Sequence, residues 1–503
     1  MEFQIFRDTL SAAGSFCCAK TEIPIETEIL LSDYLPRVYK IVKCFVKMVV
    51  LQKQLQTGRL NLEGYLRCIV YYQGENGEGL CQGEQKIPFT RAMELPQMDY
   101  STFSAVVGGE TEFLNCRAVN SRRIEVRGAY EAAACISTQV LQEVISSVAE
   151  CGAEQKQTEI TGVSCIASMD KLFAAEADFR FDQPPAAILD LVGTTNIREL
   201  RVISGKAVIK GELTAEIAYR VESGGALRAQ RVAVPFQQIL DAEGLTEGCH
   251  CFAAAEAVGF TVTETGENEG SRLSASVILH LRAYSDQHLS LVTDLFSTQY
   301  ETTCEQNTVC VEQIAKKLDE ITTVSATGQL PDEHAKLLAC LASFGVPELA
   351  GEAPPQLRAH GVVTVFCENS LNEIESYEKQ VEFLLPLAEL SGTETYRAEC
   401  WLTVREPNCK VTAGTLQVDL AVQAEGLVMR RITGSAIAKP QLGAAYTPAD
   451  PEVSLRVYYA QPGEDVFEIA RRFHVSPQRM RRENQLECEV LSAPCRLLVP
   501  GAG

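Results

Sequence analysis

Apolar and polar residues alternate with a period of two over long stretches of this chain, and one such pattern recurs three times. The copies begin RLNLEGYLRCIVYY at Arg59, KAVIKGELTAEIAY at Lys206 and QLRAHGVVTVFC at Gln356. In each, the apolar side chains share the parity of a central glycine: Leu60, Leu62, Gly64, Leu66 and Val70; Ala207, Ile209, Gly211, Leu213 and Ile217; Leu357, Ala359, Gly361, Val363 and Val365. Period two predicts strands with one buried face. Glycine weakens a strand, so its return at one point predicts a bulge, or a bend where another backbone comes close.

An apolar-Pro-apolar triplet follows each glycine: Ile87, Pro88 and Phe89; Val234, Pro235 and Phe236; Leu385, Pro386 and Leu387. The intervening polar stretches, QGENGEG from Gln73 and ESGGA from Glu222, predict hairpin turns, with the proline on an edge or at a strand start. A second alternating run closes each copy: Ile124, Val126, Gly128 and Tyr130; Leu273, Ala275, Val277, Leu279 and Leu281; Leu416, Val418, Leu420 and Val422. A spacing of roughly 150 residues between glycines is the size of a domain, not of a solenoid repeat. Three homologous, mainly β units are expected at 20–139, 155–290 and 300–438, the third divergent. A short apolar stretch precedes each glycine, at 34–44, 184–192 and 332–345. In the last, Leu337, Leu338, Leu341 and Phe344 have helical spacing, as do Leu141, Val144, Ile145 and Val148 near the end of the first unit. Small helices packed on the sheets are therefore expected.

Residues 439–453, with several prolines and few large apolar groups, have the composition of an extended linker, and a separate module is expected at 454–501. There the pattern becomes strand, helix, helix, strand: LRVYYAQ, EDVFEIARRF, SPQRMRREN and RLLVP. Gly463 supplies a turn, Glu464 and Asp465 stand at a helix start, and Ser476 with Pro477 form an N-cap and first-turn pair. Val466, Ile469, Ala470 and Phe473 form the predicted buried stripe.

This module resembles the LysM family, through Gly463, Glu464, Ile469, Ala470, Met480, Asn484, Leu497, Val499 and Pro500 in order. The resemblance implies a small α/β (βααβ) fold. It also implies a shallow groove formed by Gly463, Glu464, Asp465, Val466 and Phe467 with Asn484, Gln485 and Leu486, which in that family holds N-acetylglucosamine polymers such as peptidoglycan. The chain departs from the family pattern at Glu464-Asp465 and at SAPCR from Ser492, and both changes bear on the sugar site. Arg471, Arg472, Arg479, Arg481 and Arg482 are open to two readings, a solvated face or an anchor for an acidic protein surface.

The tandem β units resemble the SPOCS domain, and several such units followed by one LysM module resemble SipL-like spore coat morphogenetic proteins of Clostridia. That resemblance implies a non-enzymatic adaptor in the mother-cell cytosol at the forespore surface. Its partner there is the morphogenetic ATPase that polymerises as the coat's basement layer, bound largely through the LysM module. A peptidoglycan-binding cell-wall protein is the alternative, and a peptidoglycan hydrolase a more remote one.

Composition narrows the field. The 503 residues carry a net charge of −21, which disfavours nucleic acid and anionic lipid as partners. No apolar run is long enough for a membrane span, and the first twenty residues lack a secretion-signal pattern, so the chain is expected to stay where it is made. Nineteen cysteines without framework spacing fit a reducing compartment. Cys249, His250 and Cys251 alternate faces on a strand and make a poor metal set, and no cofactor is expected. Hydrolase elbows, phosphate loops and zinc-protease motifs are missing, and the six histidines are scattered.

Overall fold

The alternation is realised as strands almost throughout. The computed structural model describes residues 2–33, 35–75, 79–221, 227–264, 270–351, 354–447 and 455–500; the turn expected at 222–226, part of that at 73–79, and residues 448–453 of the linker lie outside them. The first unit comprises β1 (Gln4–Leu30), β2 (Val38–Gln56), β3 (Arg59–Gly74), β4 (Leu80–Glu94), β5 (Thr102–Asn120) and β6 (Arg123–Ala149). These form two three-stranded antiparallel sheets, ordered β2-β3-β4 and β1-β6-β5. Leu60, Leu62, Leu66 and Val70 of β3 meet Ile124, Val126 and Ala132 of β6 in a shared core.

The second unit repeats this order with β7 (Ala153–Phe179), β8 (Pro185–Ile203), β9 (Lys206–Val221), β10 (Leu227–Asp241), β11 (His250–Glu264) and β12 (Ser271–Ser297), in sheets β8-β9-β10 and β7-β12-β11. The third uses β13 (Tyr300–Gln329), β14 (Lys336–Phe344), β15 (Glu348–Ala350), β16 (Gln356–Glu368), β17 (Ile374–Pro386), β18 (Thr395–Thr412) and β19 (Thr415–Ala445). Here β14 and β15 both pair with β16, so one strand of the other units is split in two.

The recurring glycine explains that split. A Cβ on Gly64 would lie 2.0 Å from the Val49 carbonyl oxygen, on Gly211 2.7 Å from that of Asn196, and on Gly361 2.8 Å from that of Ser343. Each glycine therefore sits where the neighbouring strand's backbone presses closest, and that neighbour is irregular there. The register shifts between Val50 and Gln52 in β2 and between Ile197 and Glu199 in β8, whereas β14 simply ends at Phe344, opposite Gly361. The three prolines lie on β4, β10 and β17, each at a sheet edge, where a missing N–H costs no ladder bond. Pro88 and Pro235 stand opposite the residue after the glycine, but Pro386 stands opposite Gln356, so the third triplet is not in register with the others.

The small helices expected on the sheets are strands instead. Residues 38–44, 185–192 and 336–344 lie in β2, β8 and β14, and 140–148 in β6. Their helix-like spacing arises because residues of both parities are buried in different cores. Leu337 and Phe344 pack inside the third unit, while Leu338 and Leu341 pack outward against Tyr71 and Phe366. Val144 joins Leu10, Leu291, Val309, Val311 and Ala436, while Ile145 and Val148 join Val292, Leu295 and Ile437. Those last two clusters are built by the long strand pairs of all three units, which continue past their sandwiches into a common trunk. Residues 439–445, read from sequence as the start of the linker, complete β19 on that trunk.

Charges are buried at the same junction. Arg282 donates to Glu399 (2.5 Å) and Asp170 (3.1 Å), Arg397 grips Glu312 through two 2.7 Å bonds, Lys53 reaches Asp170 at 2.6 Å, and Ser104 donates to Glu399. The first unit supplies Lys53 and Ser104, the second Asp170 and Arg282, the third Glu312, Arg397 and Glu399. Cys18 and Cys135, opposite one another on β1 and β6, are joined by a disulfide, a bridge the sequence reading did not anticipate.

Candidate functional site

The C-terminal module follows its sequence pattern closely. It contains β20 (Leu455–Ala460), α1 (Val466–Arg472), α2 (Pro477–Asn484) and β21 (Cys495–Pro500), with β20 and β21 antiparallel. Asp465 caps α1 by accepting from the Phe467 N–H at 2.8 Å, and Pro477 opens α2 after Ser476. Ala460, Val466, Ile469, Ala470, Met480, Leu491, Leu497 and Val499 make the core, and Phe473 is half-buried beside it. Asn484 fastens α2 to β21, donating to the Met480 and Leu498 carbonyls at 2.8 Å and accepting from the Leu498 N–H at 2.6 Å. Gln485 takes a left-handed conformation (φ 54°) as the helix ends, and the Leu486 N–H returns to the Arg481 carbonyl. Cys488 and Cys495 are both free thiols.

Several of the residues expected to form the ligand or partner groove make bonds within the module. The Gly463 N–H donates to the Leu491 carbonyl, the Leu491 N–H to the Glu464 carbonyl, and the Val466 N–H to the Glu489 carbonyl, so the two loops bond to each other. Val466 is 1% exposed and belongs to the core. The Glu464 carboxylate accepts from the Gln461 N–H and the Tyr458 hydroxyl, both at 2.7 Å, and these bonds hold it below the usual carboxylate range.

One side of the module is docked on the trunk. Lys156 of β7 donates to Asp465 at 2.6 Å, Arg471 pairs with Asp294 of β12, and Phe467 packs edge-on against Phe296 with centroids 5.1 Å apart. The Arg471 guanidinium lies over both rings, at 5.5 Å from Phe467 and 5.9 Å from Phe296. His474 Nδ1 meets the Ser297 carbonyl at 2.9 Å, and its ring stacks on Tyr446. Lys156, Asp294, Phe296, Ser297 and Tyr446 had no distinguishing sequence signal, because they lie far along the chain in ordinary strand ends.

The five arginines do not form one face. Arg471 is consumed in the dock; Arg472 donates to the Tyr458 hydroxyl at 3.0 Å; Arg479 pairs with Glu483 at 2.9 Å; Arg481 approaches Glu489 at 3.6 Å; and Arg482 is exposed. Left open is the outer face of the β20-β21 ribbon. Val457 is 51% exposed and faces Leu498, 41% exposed, while Tyr459, 64% exposed, faces Arg496, whose guanidinium lies 5.6 Å over its ring. Sequence reasoning missed this patch because LRVYYA carries apolar side chains on both parities.

A cleft of about 440 Å³ is lined by Leu200, Glu247, Cys249, His250, Cys251 and Lys317 among others. His250 bonds to Asp286, Cys249 to Thr246, and burial, then the neighbouring Cys249, pushes the Cys251 thiol up to about 11. Among the described residues no group of three His, Cys, Asp or Glu side chains is placed to hold a metal, and no helix is long and apolar enough to cross a membrane.

The architecture can now be set against known families. Residues 37–119 and 186–263 match the family model described as SipL, SPOCS domain. Both stretches are similar to the SPOCS domain. The matched stretches cover β2 through β5 and β8 through β11, the four inner strands of the first two units, and stop short of the long trunk strands. The third unit, outside the matched stretches, keeps the sheet order of the first two apart from its split strand. Neither the curated proteins nor the solved structures gave a match.

Proposed function

We propose that this protein is a non-enzymatic adaptor of spore coat assembly, working in the mother-cell cytosol at the forespore surface. Its C-terminal module, a LysM-like βααβ unit, binds the morphogenetic ATPase that forms the coat's basement layer. The observation that carries the reading is the pairing of SPOCS units with a terminal module that keeps the LysM pattern from Gly463 to Pro500. The dock against β7 and β12 occupies Asp465, Phe467 and Arg471 and leaves the partner the ribbon face of Val457, Tyr459, Arg496 and Leu498. An aromatic and an arginine flanked by aliphatic groups have the composition of a binding hot spot. That face suits an apolar partner surface with an acidic rim.

The test is binding of the full chain to the purified coat ATPase, with insoluble peptidoglycan as the competing ligand. Tyr459→Ala combined with Leu498→Ala is expected to weaken ATPase binding at least roughly tenfold, a loss of about 1.4 kcal/mol or more. Arg482→Ser is expected to change it little. Retention on peptidoglycan without ATPase binding would replace the adaptor with a cell-wall protein, and sugar release would replace it with a hydrolase.

A further inference from the structure

The first and third units share a thiol arrangement that the second lacks. In the first, Cys44 lies on β2, Cys68 on β3 and Cys116 on β5; in the third, Cys340 lies on β14, Cys367 on β16 and Cys409 on β18. β2 and β14 occupy equivalent places in one sheet of their sandwiches, and β5 and β18 equivalent places in the other. Cys116 stands opposite Val126 on β6 and Cys409 opposite Val418 on β19, the second buried position of each strand. In the second unit β8 and β9 carry no cysteine, and the place opposite Ala275 is taken by Phe260. All three thiols of each set contribute to the core of their own unit.

The cores bring them together across the sheets. Cys44 and Cys116 share one core and their thiols interact, as do Cys340 and Cys409. Cys68 also approaches Cys44, at 3.7 Å, but along the same sheet, and the third unit has no cysteine at that register, since Val365 faces Cys340. The inter-sheet contact is the one that recurs.

We propose that Cys44 with Cys116, and Cys340 with Cys409, are oxidisable thiol pairs, each closing one disulfide between the two sheets of its unit when a low-molecular-weight disulfide is supplied. Cys116 is half-buried and Cys44 buried, so in the first unit the β5 sulfur meets the reagent first, whereas Cys340 and Cys409 are both half-buried. The neighbouring partner thiol draws Cys116 and Cys409 each below the ordinary range and favours the thiolate that attacks. Attack on one reagent sulfur forms a mixed disulfide and releases one small thiol. The partner cysteine then displaces the second small thiol, which takes its proton. Two protein S–H bonds are lost, one S–S bond is gained, and the reagent disulfide is reduced to two thiols. Oxidation would thus staple the outer two units and leave the middle one unchanged.

The test uses the full chain incubated with oxidised glutathione, alkylated, digested without reduction and mapped by mass spectrometry. Of the 17 free cysteines, these four are expected to escape alkylation and to appear as Cys44–Cys116 and Cys340–Cys409 linked peptides, with a higher Tm than the reduced protein. Cys116→Ser with Cys409→Ser is expected to abolish both peptides and the Tm rise. Alkylation of all four in the oxidised wild type, linkage of Cys44 to Cys68, or arrest as mixed disulfides would overturn the proposal. The wild-type map decides even if the variant folds poorly.

Discussion

Gly64 shows how much one missing methyl group can specify. Its backbone lies so close to the Val49 carbonyl that any Cβ must move a strand. Gly64→Ala is expected to destabilise the protein by about 1 to 3 kcal/mol, the usual cost of overpacking, as read from urea unfolding. Gly434, where a Cβ would meet nothing within 4 Å, provides the control: alanine there is expected to be tolerated. This close approach was legible in the sequence as a glycine of constant parity among buried residues. The split of the third unit's strand was not, because Gly345 and Pro347 look like any loop until Phe344 is seen to stack over Gly361.

At the scale of elements, caps and turns were readable because they are local. Asp465, Pro477 and the Val466, Ile469 and Ala470 stripe fall where the sequence puts them. Packing that joins distant segments was not readable, and it misled the assignment of β6 and β14, whose two buried faces mimic helical spacing. The same limit hid the module's dock, since Phe296 and Phe467 lie far apart in the chain. Phe467→Ala removes the ring contact and one support of Arg471, while Val466 continues to hold α1 in its core. The variant is expected to lose amide protection at the end of β12 and the start of α1, measured by hydrogen exchange, with the cores of the three β units unchanged.

At the scale of the whole molecule, the buried charge network ties acid stability to the junction of the units. Burial pushes the Asp170 carboxyl up, but Lys53, the His280 hydrogen bond and Arg282 outweigh it and hold it well below the usual range. Glu312 and Glu399 are likewise raised by burial and brought down further by their arginines. Groups depressed in the folded state contribute stability above their unfolded pKa, about 4 for these carboxyls, and lose it as pH falls toward the folded value. Stability is therefore expected to decline below about pH 4. Asp170→Asn leaves Lys53 and Arg282 short of a counter-charge and is expected to cost about 3 to 5 kcal/mol at pH 7, with a shallower acid decline, both measured by denaturant titration across pH.

Every pair of units is also in contact. Val49 meets Val258 and Ile278 between the first and second, Phe252 meets Trp401 between the second and third, and Tyr71 meets Phe366 between the third and first. The repeats thus form a closed ring, in which no member is a free end and each is held by two neighbours. Such a ring cannot be lengthened or shortened one link at a time: excising any member bares two apolar flanks at once and breaks the central ion cluster, so three is the number this design enforces.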